Sequence, residues 1–172
     1  MNIPISHDDL EIDGTKYRLG HLSAISTVVP NKGRDGKSDL TILVRFSNHV
    51  CSERALHGQQ SNMADHRGTR RVFDLARYTF SLSLPETLRQ AIQNNGLCFV
   101  SKDYGGHKNL MMIEDKSGVA WSIVFCFTPL LAGVSMDILS VHQRDMRGKP
   151  KKNSLIYFAR QCLIKQERVP KN

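Results

Sequence analysis

The chain has 172 residues, with 24 Lys and Arg against 16 Asp and Glu, a net charge of +8. A chain of this length buries roughly 70% of its unfolded surface in a single core, so it needs neither a disulfide nor a metal to fold. Its four cysteines, Cys51, Cys98, Cys126 and Cys162, form no C-x-x-C pair, which argues against a zinc ribbon or a dithiol redox site and for reduced thiols.

The opening MNIPISHDDLEID is acidic and polar, and no positive run leads into an apolar stretch. No secretory signal is expected, and the cytoplasm is the expected location. Leu10-Glu11-Ile12 and Lys16-Tyr17-Arg18-Leu19 flank Asp13-Gly14, a pair suited to the positive φ of a tight turn, and predict a hairpin. The Gly- and Asn-rich stretch 31–37 reads as an exposed loop, since the G-x-x-x-x-G-K-S/T spacing of a phosphate-binding loop is absent. From 39 to 48 the residues alternate, Ile42, Val44 and Phe46 on one face and Leu43, Arg45, Ser47 and His49 on the other, which predicts a strand.

The polar stretch 52–68 has no period and reads as a loop. Val72, Phe73, Ala76 and Phe80 fall at helical spacing and predict a helix over 70–80. Ser83-Leu84-Pro85-Glu86 has the form of a capping box with proline in the first turn, and Gly96 follows Asn94-Asn95, so a second helix is expected over 84–95. Strands are then expected at 97–104, 109–114, 119–128 and 134–142, with turns at Gly105-Gly106 and Lys116-Ser117-Gly118. Residues 118–136 carry no charge and are long enough to span a bilayer. Val119, Trp121, Ile123, Phe125 and Phe127 alternate, however, and Pro129 and Gly133 interrupt any helix, so a hairpin is expected instead. Residues 154–164 mix apolar side chains without a clean period and read as strand or helix.

The expected fold is one α+β domain: an antiparallel meander sheet, with two helices inserted between an N-terminal strand hairpin and the meander. Residues 1–143 hold fifteen basic and fourteen acidic side chains, whereas 144–172 hold nine and two. The net charge therefore sits in a basic C-terminal segment from about residue 144. Such a segment suits a polyanion, with Arg147, Lys149, Lys151 and Lys152 joined by Arg70 and Arg71 as candidate nucleic-acid contacts; it is also what a solubilising tail looks like.

Candidate chemistry concentrates at two strand ends. His49 follows the 39–48 strand, and Ser140 and His142, two apart, share a strand face about 7 Å from each other; Arg144 continues that row, and Arg77, on the expected 70–80 helix, is the alternative arginine. A neutral imidazole can take a ribose 2'-OH proton, an imidazolium can protonate the leaving oxygen, and a guanidinium can stabilise the phosphorane. His49, Ser140, His142, Arg77 and Arg144 are therefore the candidate catalytic set for RNA cleavage without metal or other cofactor. The alternative is that they are polar residues beyond the core. A second alternative is a zinc site on His49, Cys51, His57 and His66, whose spacing matches no diagnostic ligand pattern. Cys51 beside His49 as a thiolate nucleophile lacks an oxyanion-hole signature.

Phe46-Ser47-Asn48-His49-Val50-Cys51 resembles an F-S-x-H-C-like strand end of small bacterial prophage and mobile-element proteins, with one residue inserted before the cysteine. Arg71-Val72-Phe73 with Arg77-Tyr78, Ser140-Val141-His142 against an S-A-Y-like element, and Lys149-Pro150-Lys151-Lys152 are similar to other motifs of that group. More distantly, a meander ending in a hydroxyl residue resembles the barnase, colicin nuclease and RelE-like ribonuclease toxins. The resemblance implies an RNA-cleaving, toxin-like or phage-defence hydrolase without cofactor, for which a neutralising protein partner is one expectation; the hairpin reading of 118–136 adds no membrane association. The alternatives are a non-catalytic nucleic-acid-binding or regulatory protein and a protein-interaction module of a phage and host pair.

Overall fold

The computed structural model describes residues 3–4, 7–65, 68–104, 107–143 and 151–171. Among them are twelve strands and three α-helices, an α+β fold. β1 (Leu10–Ile12) and β2 (Thr15–Tyr17) form the expected hairpin, with Asp13 at φ 50° and Gly14 at φ 74°, both positive as the turn requires. β3 (Ile25–Val29) pairs antiparallel with β4 (Leu40–Phe46). β4 alternates as its sequence demands, with Leu40, Ile42, Val44 and Phe46 fully buried. It stops at Phe46, short of the expected residue 48: Ser47 accepts the His49 N–H and starts a 3-10 turn at Asn48–Val50, so His49 lies in that turn and not on the strand.

Residues expected as a loop and a helix instead build a three-stranded sheet. β5 (Ser52–Arg54), β6 (Met63–Ala64) and β7 (Arg70–Phe73) pair antiparallel in the order β5-β7-β6. Helix starts only after Asp74, whose carboxylate accepts the Arg77 N–H as N-cap of α1 (Leu75–Ser81). The 70–80 helix is thus corrected to a strand followed by a helix. The β-branched and aromatic Val72 and Phe73 belong to the strand, with Arg70 in it and Arg77 on the helix. α2 (Leu84–Gln93) keeps its first-turn Pro85 and buries Leu84, Leu88 and Ile92. Ser83 forms no side-chain cap there; its hydroxyl donates to Phe80 O instead.

β8 (Leu97–Tyr104), β9 (His107–Lys116), β10 (Val119–Leu130) and β11 (Gly133–Gln143) form the expected meander. Its full sheet runs β12-β8-β9-β10-β11-β4-β3, where β12 is Lys152–Ser154. It is mixed rather than antiparallel throughout, because β11 pairs parallel with β4. The 118–136 stretch is a strand hairpin, and among the described residues no helix is long and apolar enough to cross a membrane. Gly133 makes the parallel contact: its φ is 123°, and a Cβ there would lie 2.3 Å from Thr41 O. The turn expected at Gly105-Gly106 lies outside the described residues.

The undecided C-terminal stretch is helix α3 (Leu155–Lys165), capped by Ser154, with Leu155, Ile156, Phe158, Ala159, Cys162 and Leu163 buried. Much of the basic C-terminal segment is therefore core and not a solvated tail. Residues 121–127 of β10 are buried on both sides of the sheet. Trp121, Ile123, Phe125 and Phe127 join the main core with the helices, while Val124 packs with Phe99 and Met111 on the opposite face. On that second face Asp137, fully buried, accepts from Arg45 Nε (2.8 Å), Thr128 Oγ1 (2.9 Å) and Ser135 Oγ (2.5 Å). This set of donors satisfies a carboxylate that would be costly to bury alone.

Candidate functional site

The end of β11 brings Ser140 and His142 together: Ser140 Oγ is 2.7 Å from His142 Nε2. Across from them, α1 supplies Arg77, whose Nη2 lies 3.3 Å from His142 Nδ1. An arginine only donates, so Nδ1 is the acceptor; Nε2 then carries the hydrogen and donates to Ser140 Oγ. Arg77 Nη1 donates to Ser52 O (2.7 Å) and His49 O (3.4 Å), and its Nε faces Asp74 at 3.5 Å. Three of the predicted residues, Arg77, Ser140 and His142, thus form one hydrogen-bonded chain.

His49 joins this chain only through its backbone carbonyl. Its ring turns to Asp65, with Nε2 3.2 Å from Oδ2 of a carboxylate that also accepts the Thr69 N–H. Sequence reasoning missed Asp65, Asp74 and Ser52; Asp74, standing directly before an apolar helical run, was the legible one as an N-cap. Ser140 is fully buried, which removes it from contact with any substrate and makes it a residue that positions His142. Arg77, Asp74, Trp121, His142 and Gln143 line a polar pocket of about 220 Å³. Through Ala76, Trp121 and Gln143 it adjoins a more apolar cleft of about 580 Å³ between α1 and β10. There Phe80 stacks on Trp121 with centroids 4.3 Å apart and planes at 11°.

The predicted nucleic-acid contacts divide. Arg71 is 5% exposed and donates to Ser52 Oγ and Ser52 O, both at 2.7 Å, so it is a buried brace between β7 and β5 and is withdrawn as a nucleic-acid contact. Arg70 is exposed, with Nη2 on Gln59 O at 3.1 Å. Lys151 and Lys152 are exposed beside and on the edge strand β12. Arg144, Arg147, Lys149 and His66 lie outside the described residues.

Cys51 is buried with its thiol on Asn48 O at 3.3 Å, and burial pushes it up to about 12, far from a nucleophile or a ready metal ligand. Among the described residues no three His, Cys, Asp or Glu side chains come close enough to hold a metal ion. The zinc alternative therefore finds no gathered ligand set in His49, Cys51 and His57.

No curated protein matches the chain significantly. The same is true of solved structures. The model of one family matches residues 9–163, a span that takes in the three-stranded sheet, the meander, the Arg77-His142-Ser140 chain and nearly all of α3, and the protein belongs to the YjaZ family.

Proposed function

We propose that the protein cleaves RNA without a metal, at the polar pocket where Arg77 meets His142, in a toxin-like or phage-defence role that a partner protein would neutralise. The carrying observation is that one imidazole, oriented by Ser140 on one nitrogen, lies against one guanidinium on the other at the wall of a cleft. A phosphate entering the pocket competes for the Arg77 Nη2 hydrogen, and Nδ1 is then the base for a ribose 2'-OH. The 2'-oxygen attacks phosphorus, and Arg77 stabilises the charge of the phosphorane. The phosphorus bond to the 5'-oxygen breaks, and His142 returns the proton to that oxygen, leaving a 2',3'-cyclic phosphate and a 5'-hydroxyl. Ser140 keeps the opposite nitrogen protonated throughout, and His49 contributes its carbonyl to hold Arg77.

The test is cleavage of mixed RNA in EDTA, with and without ribosomes. His142→Asn is expected to lower the rate roughly 10²-fold or more, as removal of a general base does, whereas His49→Ala leaves it within a few-fold. Expression of the unaltered chain should arrest growth while His142→Asn does not. No cleavage and no arrest would sink the reading. A second reading, a non-catalytic nucleic-acid-binding protein, draws on the engagement of Arg77 with three acceptors and Asp74 inside the fold; RNA binding that survives His142→Asn, with no cleavage at all, would favour it.

A further inference from the structure

The 31–38 loop, which sequence alone reads as a plain connection, is built as a rigid bracket. Gly33 N–H donates to Ser38 O at 2.7 Å and Gly36 N–H to Gly33 O at 3.1 Å. The Asp35 carboxylate accepts from Lys37 N (2.9 Å), Ser38 N (2.7 Å) and Ser38 Oγ (2.6 Å). Those bonds, the Ser38 hydroxyl first, hold the Asp35 carboxyl down to about 2. The loop's own negative charge thus faces inward to its own donors, while Lys32, Arg34 and Lys37 remain exposed.

The bracket rests on the C-terminal half of α3, 129 residues away in sequence. Arg34 Nη2 donates to Leu163 O at 3.1 Å, and Arg160 Nη2 lies 3.9 Å from where a side chain at Gly36 would begin. Arg160 has no ion-pair partner among the described residues, and its buried Nε finds no hydrogen-bond acceptor there. Lys165 ends the same helix, exposed. Tyr157 and Ile164, each 49% exposed, occupy the face that Arg160 and Gln161 share with them, since positions three, four and seven apart stack along a helix. An aromatic ring between cations, on a rigid support, suits a strand with stackable bases and a phosphate backbone. Lys151 and Lys152 extend the row beyond the N-terminus of α3, roughly 16 Å of helix away from Lys165.

We infer that the 31–38 loop and the exposed face of α3 form one binding track for single-stranded RNA, with Lys32, Lys37, Arg160 and Lys165 on the phosphates and Tyr157 against a base. The inference deepens the nucleic-acid reading above but does not need cleavage. The experiment is anisotropy of the full chain with a labelled 20-nucleotide single-stranded RNA across a salt series, beside duplex DNA and vesicles containing anionic lipid. Lys32→Glu/Lys37→Glu, two exposed lysines whose side chains make no bond among the described residues, should weaken RNA binding about 10-fold or more and make the log affinity against log salt slope shallower by between one and two, because each phosphate contact adds roughly 0.7 to the single-strand slope. Arg160→Glu/Lys165→Glu should do the same, and Tyr157→Ala should cost severalfold with the slope unchanged. Unchanged melting temperature for the lysine pair separates lost contacts from lost fold. Affinity and slope unaffected by both charge reversals would overturn the track, as would binding to vesicles without binding to RNA. Loss of cleavage alone, in His142→Asn with binding intact, leaves it standing.

Discussion

The β10-β11 hairpin has arginines at both ends, and they are used in opposite ways. At the end where Trp121 pairs with Gln143, Arg77 and Arg71 are turned inward onto carbonyls, a serine and a histidine. At the other end, beyond Leu130 and Gly133 and roughly 35 Å along the strands, the loop turns Asp35 onto its own donors and Arg34 onto Leu163 O, and leaves the lysines Lys32 and Lys37 exposed. A cation that donates to several fixed acceptors is part of the scaffold and serves, at most, a ligand small enough to reach its pocket. Cations whose acid neighbour is internally satisfied remain available to a long polyanion. Net charge alone did not separate the two cases; hydrogen-bond partners do.

The largest break in this contrast comes from Arg77→Ala. It removes the donors to Ser52 O, His49 O and His142, and the midpoint of chemical denaturation should fall by an amount equal to about 2–4 kcal/mol, while Lys32→Glu/Lys37→Glu stays within about 0.5 kcal/mol. Equal effects would erase the distinction. Gly133→Ala, which sets a Cβ against Thr41 O, should cost about 2 kcal/mol or more, measured as a lower melting temperature. It should leave the α1 amides at the Arg77 end protected in hydrogen exchange if the two ends are independent.

A smaller effect is expected from pH. Burial lowers the pKa of His7 and His21 below 6.5, so the unfolded chain binds more protons as the pH drops through 6.5. Stability is therefore fully present above about pH 6.5 and is lost as the pH falls toward the folded values. Thermal melts from pH 7.5 to 5 should show the decline, and His7→Gln, which can still donate to Phe46 O, should flatten it. The smallest change is local. Asp35→Ala should abolish exchange protection of the Lys37 and Ser38 amides, with RNA affinity reduced only a fewfold and the melting temperature nearly unchanged.

The meander was legible because Val119 to Phe127 alternates and Ser117-Gly118 is a turn pair, with φ of 56° and 75°. The three-stranded sheet was not, because β5 and β6 are three and two residues long and gain their order from pairing with β7, which local pattern cannot announce. The same holds at the site. Ser140 and His142 were readable as one strand face, and Arg77 as their neighbour was a reasonable guess. The direction of the His49 ring was not readable, since it depends on a 3-10 turn set by Ser47 and on Asp65 sixteen residues on. That Arg71 is inside and Arg34 outside follows from tertiary contacts alone.

The parallel pairing of β4 with β11 has a temporal side. Leu43 O meets Ser135 Oγ across 92 residues of chain, and at synthesis rates of roughly 5–20 residues per second β4 emerges about 5 to 20 s before the strand that covers its edge. During that interval β4 has only β3 to pair with, and a row of apolar side chains built for the main core has no core to enter. The nascent chain is therefore most prone to association in the window between β4 and β11, a window that closes only when Gly133–Gln143 has been made.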